Sequence, residues 1–89
     1  MHARHKDQLT RLNKISGQVQ GIKKMIEEER YCIDILNQTK AVTSALKKVE
    51  LSILENHIHH CLKNAALSQD PEQISEKMDE IMALIHSRF

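Results

Sequence analysis

Residues 32–61 read CIDILNQTKAVTSALKKVELSILENHIHHC and contain neither glycine nor proline. The nearest helix breakers are Gly21 before them and Pro71 after them. Within the run Cys32, Ile35, Thr39, Val42, Leu46, Val49, Ile53, His57 and Cys61 recur at steps of three and four, which keeps them on one face of an α-helix. One long helix over about 31–66 is therefore expected. Two members of its stripe are thiols and one is an imidazole. His57 and Cys61 are four residues apart and stand one turn above each other. Cys32 precedes Cys61 by 29 residues, close to eight turns, so it shares their face at the far end, roughly 40 Å away at about 1.5 Å per residue. One chain cannot close these three groups around one ion. A second copy packed antiparallel would bring its Cys32 beside this chain's His57 and Cys61, and symmetry would generate a second such cluster. A metal site here is one that a dimer makes.

Before the long helix, Leu9, Leu12, Ile15, Val19, Ile22 and Ile26 form an apolar stripe, while Arg4, Arg11, Lys14 and Gln18 recur on another face. This predicts an amphipathic helix over about 4–28 with one basic edge. Gly17 and Gly21 lie four apart in its middle, where each costs about 1 kcal/mol relative to Ala and lets another helix or a phosphate strand come close. No local signal separates this helix from the next, since Glu27, Glu28, Glu29, Arg30 and Tyr31 all tolerate helix; the break is placed near 29–30. After the long helix, Asp70 suits an N-cap, Pro71 the first helical position and Gln73 the reciprocal place of a capping box. Ile74, Met78, Ile81 and Ile85 then give a third helix, over about 71–87, a short apolar face. With no alternating run to build a strand, the expected fold is all-α, a three-helix protomer with a long central helix.

Eighty-nine residues make a single small domain, and with one Tyr and one Phe the core is thin, so an obligate oligomer is expected. No apolar run approaches the length of a membrane span and the start is not signal-like, which argues for a cytoplasmic protein with no membrane partner. Two widely spaced cysteines in a reducing compartment read as thiolate ligands or redox sensors before they read as a disulfide. Thirteen Lys and Arg against twelve Asp and Glu leave a net charge of +1, so any nucleic-acid surface must come from segregated charge. There is no phosphate loop, nucleophile elbow, carboxylate pair or internal repeat, which excludes the common enzyme classes and gives no small-molecule substrate site.

The run Arg11-Leu12-Asn13-Lys14-Ile15-Ser16-Gly17-Gln18-Val19 with Gly21-Ile22, then Arg30-Tyr31-Cys32-Ile33-Asp34-Ile35-Leu36, then Leu54-Glu55-Asn56-His57 with Cys61, resembles the copper-sensitive operon repressor family of bacterial metal sensors over roughly residues 8–86. The resemblance implies an antiparallel dimer forming a four-helix bundle, two dimers making a homotetramer, and a repressor whose affinity for operator DNA falls when its effector binds. It implies Cys32 from one protomer and His57 and Cys61 from its partner as ligands, with one copper(I) per protomer at the intersubunit site. It also places Tyr31 and an acidic residue of the last helix, Glu76, where they bond the other nitrogen of His57 and fix its orientation. Among DNA contacts it strengthens Arg11, Lys14 and Gln18 and adds Lys48, with Lys47 beside it.

Two thiolates and an imidazole suit copper(I), which accepts three ligands; zinc wants a fourth and nickel(II) more nitrogen in a tetragonal array. Nickel- and cobalt-sensing relatives add a histidine near the N-terminus, and His2 and His5 leave an extra ligand open. Sulfur-sensing relatives lack the histidine, so His57 argues against that branch. His59 and His60 are expected to be solvated surface groups, and Met25, Met78 and Met82 to serve packing. With almost no aromatic surface for base stacking, DNA contacts should be largely to phosphates, with some groove or shape readout. The reading is a copper(I)-responsive repressor that holds operator DNA when metal-free and releases it on metal binding, derepressing copper export or resistance genes. The alternatives are a nickel-, cobalt- or sulfur-responsive repressor of the same kind, or a small copper-storage or carrier bundle, which would want more cysteines and has no use for a basic edge.

Overall fold

The computed structural model describes residues 5–88, in which three helices and no strand are formed: α1 Gln8–Glu27, α2 Cys32–Ser68 and α3 Pro71–Arg88. Helix α1 begins later than the expected residue 4. Residues 5–7 make a turn instead, with the Gln8 and Leu9 amides donating to the His5 and Lys6 carbonyls at 3.0 Å each, and Asp7 gives no side-chain cap. Arg4 and His2 lie outside the described residues.

The break between α1 and α2 falls where Glu29 takes a positive φ of 55°. The Arg30 amide reaches back to the Met25 carbonyl at 2.9 Å and the Glu29 amide to that of Ile26 at 3.1 Å, the paired bonds of a Schellman ending. Glycine normally fills the left-handed position; a glutamate there costs about 1–2 kcal/mol. Helix α2 then starts with the Tyr31 carbonyl accepting from the Asp34 and Ile35 amides. Its threonines stay compatible with helix by turning their hydroxyls inward, Thr39 onto the Leu36 carbonyl at 2.7 Å and Thr43 onto that of Thr39 at 2.9 Å. Gln69, again at positive φ (56°), ends α2. Asp70 caps α3 through a 3.0 Å bond from the Glu72 amide to its Oδ1, while Gln73, the expected reciprocal partner, lines a cavity beside α2.

The chain forms two compact units. The first, residues 5–53, joins α1 to the leading part of α2 and buries Ile15, Val42 and Val49 to 6, 9 and 5% exposure, with Ile22 and Ala45 packed against them. The second, from residue 54 on, joins the end of α2 to α3 around Ala65 and Ile81. Each is a helix pair that satisfies only part of its apolar stripe: Leu9, Leu12, Val19 and Ile26 of α1, and Leu36, Leu46 and Ile53 of α2, stay exposed. A Cβ added at Gly17 or Gly21 meets nothing within 4 Å, so the close approach expected of these glycines is not made among the described residues.

Ile15 is the buried apolar residue of α1 on which the first unit depends. Ile15→Ala is expected to lower the stability of the folded chain by about 2–4 kcal/mol, read by urea denaturation at fixed protein concentration. A loss below about 1 kcal/mol would mean that this cluster is not the core of the unit.

Candidate functional site

His57 and Cys61 sit one turn apart in the last dozen residues of α2 and, with His60, Asn64, Ala65, Gln73 and Lys77, line a cavity between this stretch and α3. Cys61 is a free, half-buried thiol. His57 Nε2 is buried, makes no hydrogen bond, and lies 3.5 Å from Glu80 Oε1. That distance lies at the outer edge of hydrogen-bond range. The acid of α3 that faces His57 is thus Glu80, not Glu76 as expected. At about 100° per residue Glu80 lies about 100° around α3 from the buried Ile81, whereas Glu76 is turned about 140° from it, further from the packed face.

The other oxygen of Glu80 accepts a hydrogen bond from Lys77 Nζ at 3.2 Å. This bond and the ammonium charge hold the Glu80 carboxyl below its ordinary range, with a smaller share from His57. In return Glu80 raises Lys77, and the Cys61 sulfur and Glu76 add less. The sequence alone does not single out Lys77 and Glu80. An i, i+3 pair on an exposed helix face is commonplace, and nothing in the spacing shows that it meets His57 on another helix. His60, expected to be solvated, is half-buried with its Nε2 unpartnered; three residues on from His57 it is only about 60° around the helix. His59 is exposed as expected.

Cys32 is the first residue of α2 and, like Tyr31 before it, is exposed. Among the described residues no three His, Cys, Asp or Glu side chains are arranged within the chain so as to hold a metal ion. The chain brings His57 and Cys61 together and leaves Cys32 in its other unit. His5 precedes α1 and is half-buried, its Nδ1 without a hydrogen-bond partner.

The first unit carries the basic edge. Arg11, Lys14 and Gln18 of α1 and Lys48 of α2 line one groove, floored by Ile15, Ala41, Ser44 and Ala45. Steps of three and four align the α1 residues, and the packing of Ile15 on Val49 sets Lys48 opposite them. Arg11 Nη1 donates to Ser52 Oγ at 3.2 Å, which orients the guanidinium along α2. Lys47 is exposed but stands outside the groove, one residue and about 100° from Lys48. Three cations and an amide converging on one groove can take up phosphate oxygens.

An imidazole and a thiol that could ligate a metal in one unit and a cationic groove in the other are parts that a helical, metal-responsive DNA-binding protein needs. The family model described as metal-sensitive transcriptional repressor matches residues 4–87, and the chain belongs to that family. It is 53% identical over 79 residues to the copper-sensing transcriptional repressor CsoR of Bacillus subtilis (strain 168), covering 86% of this chain and 78% of the relative. Among solved structures it is similar to the copper-sensing repressor CsoR with Cu(I) from Geobacillus thermodenitrificans NG80-2, with a TM-score of 0.80, 37% identity and coverage of 98% of this chain and 92% of that one. It is also similar to the nickel-responsive transcriptional regulator InrS, with a TM-score of 0.78, 31% identity and coverage of 93% of each. The family role is repression of transcription, which acts on DNA and is not an enzymatic activity. Among the described residues no helix is long and apolar enough to cross a membrane.

Proposed function

We propose that the protein is a copper(I)-responsive repressor that occupies its operator when metal-free and leaves it when copper(I) binds. The observation that carries this is the pairing of His57 with Cys61 in one cavity, with a carboxylate held against the imidazole. Glu80 faces Nε2, which leaves Nδ1 to bind metal beside the Cys61 sulfur. The third donor is Cys32 of a second copy, which the exposed apolar residues of α1 and α2 would bury in an antiparallel four-helix bundle. Two such dimers form the expected tetramer, with one ion per chain. The donor set fits: thiolate and imidazole suit copper(I), which is stable with three such ligands. The likeness to a nickel-responsive regulator keeps a nickel reading in view, but nickel(II) would need further nitrogen donors beside His57, which only His60 in the same cavity or a histidine from elsewhere in the chain, such as His5 or His2, could supply. On this reading residues 1–89 act as one metal-sensing, DNA-binding domain in the cytoplasm, where the operator is. Anaerobic titration of the protein on its own upstream DNA with copper(I), nickel(II) and cobalt(II) tests the assignment, and release by nickel(II) alone would reverse it.

The groove of Arg11, Lys14, Gln18 and Lys48 is the DNA contact in this reading. Arg11→Ala or Lys48→Ala should weaken operator binding and reduce the slope of log affinity against log salt by about one for each phosphate that the variant no longer neutralises. Copper affinity should stay near its original value. If neither variant changes affinity or slope, the groove is not the contact surface. Lys47→Ala, outside the groove, should have the smaller effect.

A further inference from the structure

Lys77 stands where three groups of the second unit meet. Its ammonium bonds one oxygen of Glu80 at 3.2 Å, and the other oxygen of that carboxylate lies 3.5 Å from His57 Nε2. Its side chain lines the same cavity as His57 and Cys61. Both donors that this unit offers to a metal, His57 and Cys61, are therefore within the field of one fixed positive charge. Nothing in the copper reading requires a cation there, because the ligands and the carboxylate that orients His57 already complete the site.

We propose that Lys77 is a specificity-determining residue, a positive charge beside the metal site that disfavours divalent ions relative to copper(I). The inference rests on the copper reading above. Coulomb repulsion scales with the product of the charges, so the ammonium opposes a divalent ion about twice as strongly as a monovalent one at the same place. The same ammonium also holds Glu80 in position, and that effect helps any ion that uses these donors. It cancels in the ratio of two affinities, whereas the difference in ionic charge does not. Lys77 therefore leaves the sign of its effect on copper affinity open but fixes the direction of selectivity. Its side chain is 38% exposed, so solvent screens the effect, and a change of about threefold to tenfold in the ratio is expected.

The test is anaerobic competition titration of the full chain with copper(I) and, separately, cobalt(II), whose thiolate absorption reports the same donors. Wild type, Lys77→Met, Lys77→Gln and Lys77→Arg are compared at low and high salt, with helicity checked by circular dichroism. The copper(I)-to-cobalt(II) affinity ratio should fall about threefold to tenfold in Lys77→Met and Lys77→Gln and return in Lys77→Arg. The gap between wild type and the neutral variants should narrow at high salt. A purely structural role would give neither rescue by charge nor dependence on salt. An unchanged ratio in both neutral variants, or a lowered ratio that Arg does not restore, overturns the proposal while the copper reading stands. A wild-type protein that binds no copper(I) through thiolate overturns both.

Discussion

Mixing a Cys32→Ala protein with a His57→Ala, Cys61→Ala protein is expected to restore about one tight copper(I) site per mixed dimer, although neither protein has one alone. In the mixed dimer one end combines the Cys32 of the second protein with the His57 and Cys61 of the first, and the other end has no donor left. Structural zinc sites release about 10–16 kcal/mol over four ligands, so one ligand is worth about 3 kcal/mol, or roughly a hundredfold in affinity. Cys32→Ala alone should therefore lose about that factor, and the doubly substituted protein more. Mixing after dissociation in denaturant and refolding, followed by competition against a copper(I) chelator, gives the count of restored sites. Recovery of none would mean that the three donors are not shared between protomers. Cys32 opens α2 and Cys61 lies 29 residues further along the same helix, so one chain cannot bring its own two thiols to one ion.

The long helix was readable because residues 32–61 combine an unbroken apolar stripe with the absence of glycine and proline, and α2 runs from Cys32 to Ser68. The end of α1 was harder to read. Glu29 occupies a left-handed position that glycine usually signals, so only the backbone reveals why the helix stops there. Apolar residues were visible as stripes, but the sequence could not say which of them one chain buries. Ile15 is covered by Val42 and Val49, while Leu9 and Ile26 on the same stripe remain exposed, because two helices cover only part of a stripe that an oligomer would close. His57 and Cys61 were legible as neighbours from their spacing. Their surroundings were not: the Lys77–Glu80 pair belongs to a helix whose phase against α2 is set by the turn at Gln69 and the cap at Asp70. That turn decides whether Glu76 or Glu80 meets the imidazole, and composition carries no trace of it.

One equivalent of copper(I) is expected to lower operator affinity about tenfold to a hundredfold, corresponding to a coupling of about 1–3 kcal/mol, and His57→Ala is expected to remove most of that coupling while some copper binding survives. Ligation would tie Cys32 of one helix to His57 and Cys61 of its partner, and such a link biases the assembly toward a shape in which the Arg11, Lys14 and Lys48 grooves no longer match the duplex. The thiolates alone can still hold the ion. The imidazole would be the donor that connects it to α3, through Glu80 and the Lys77 that anchors that carboxylate. Because coupling of two equilibria is reciprocal, operator DNA must weaken copper binding by the same factor that copper weakens DNA binding. Operator affinity with and without copper(I), and copper affinity with and without DNA, measured for the wild type and His57→Ala, close the thermodynamic cycle. Equal DNA affinities in the wild type would remove the sensor reading and favour a copper-storage protein. A His57→Ala protein that remains fully coupled would keep the sensor and show that the signal leaves the metal through the two thiolates instead of through α3.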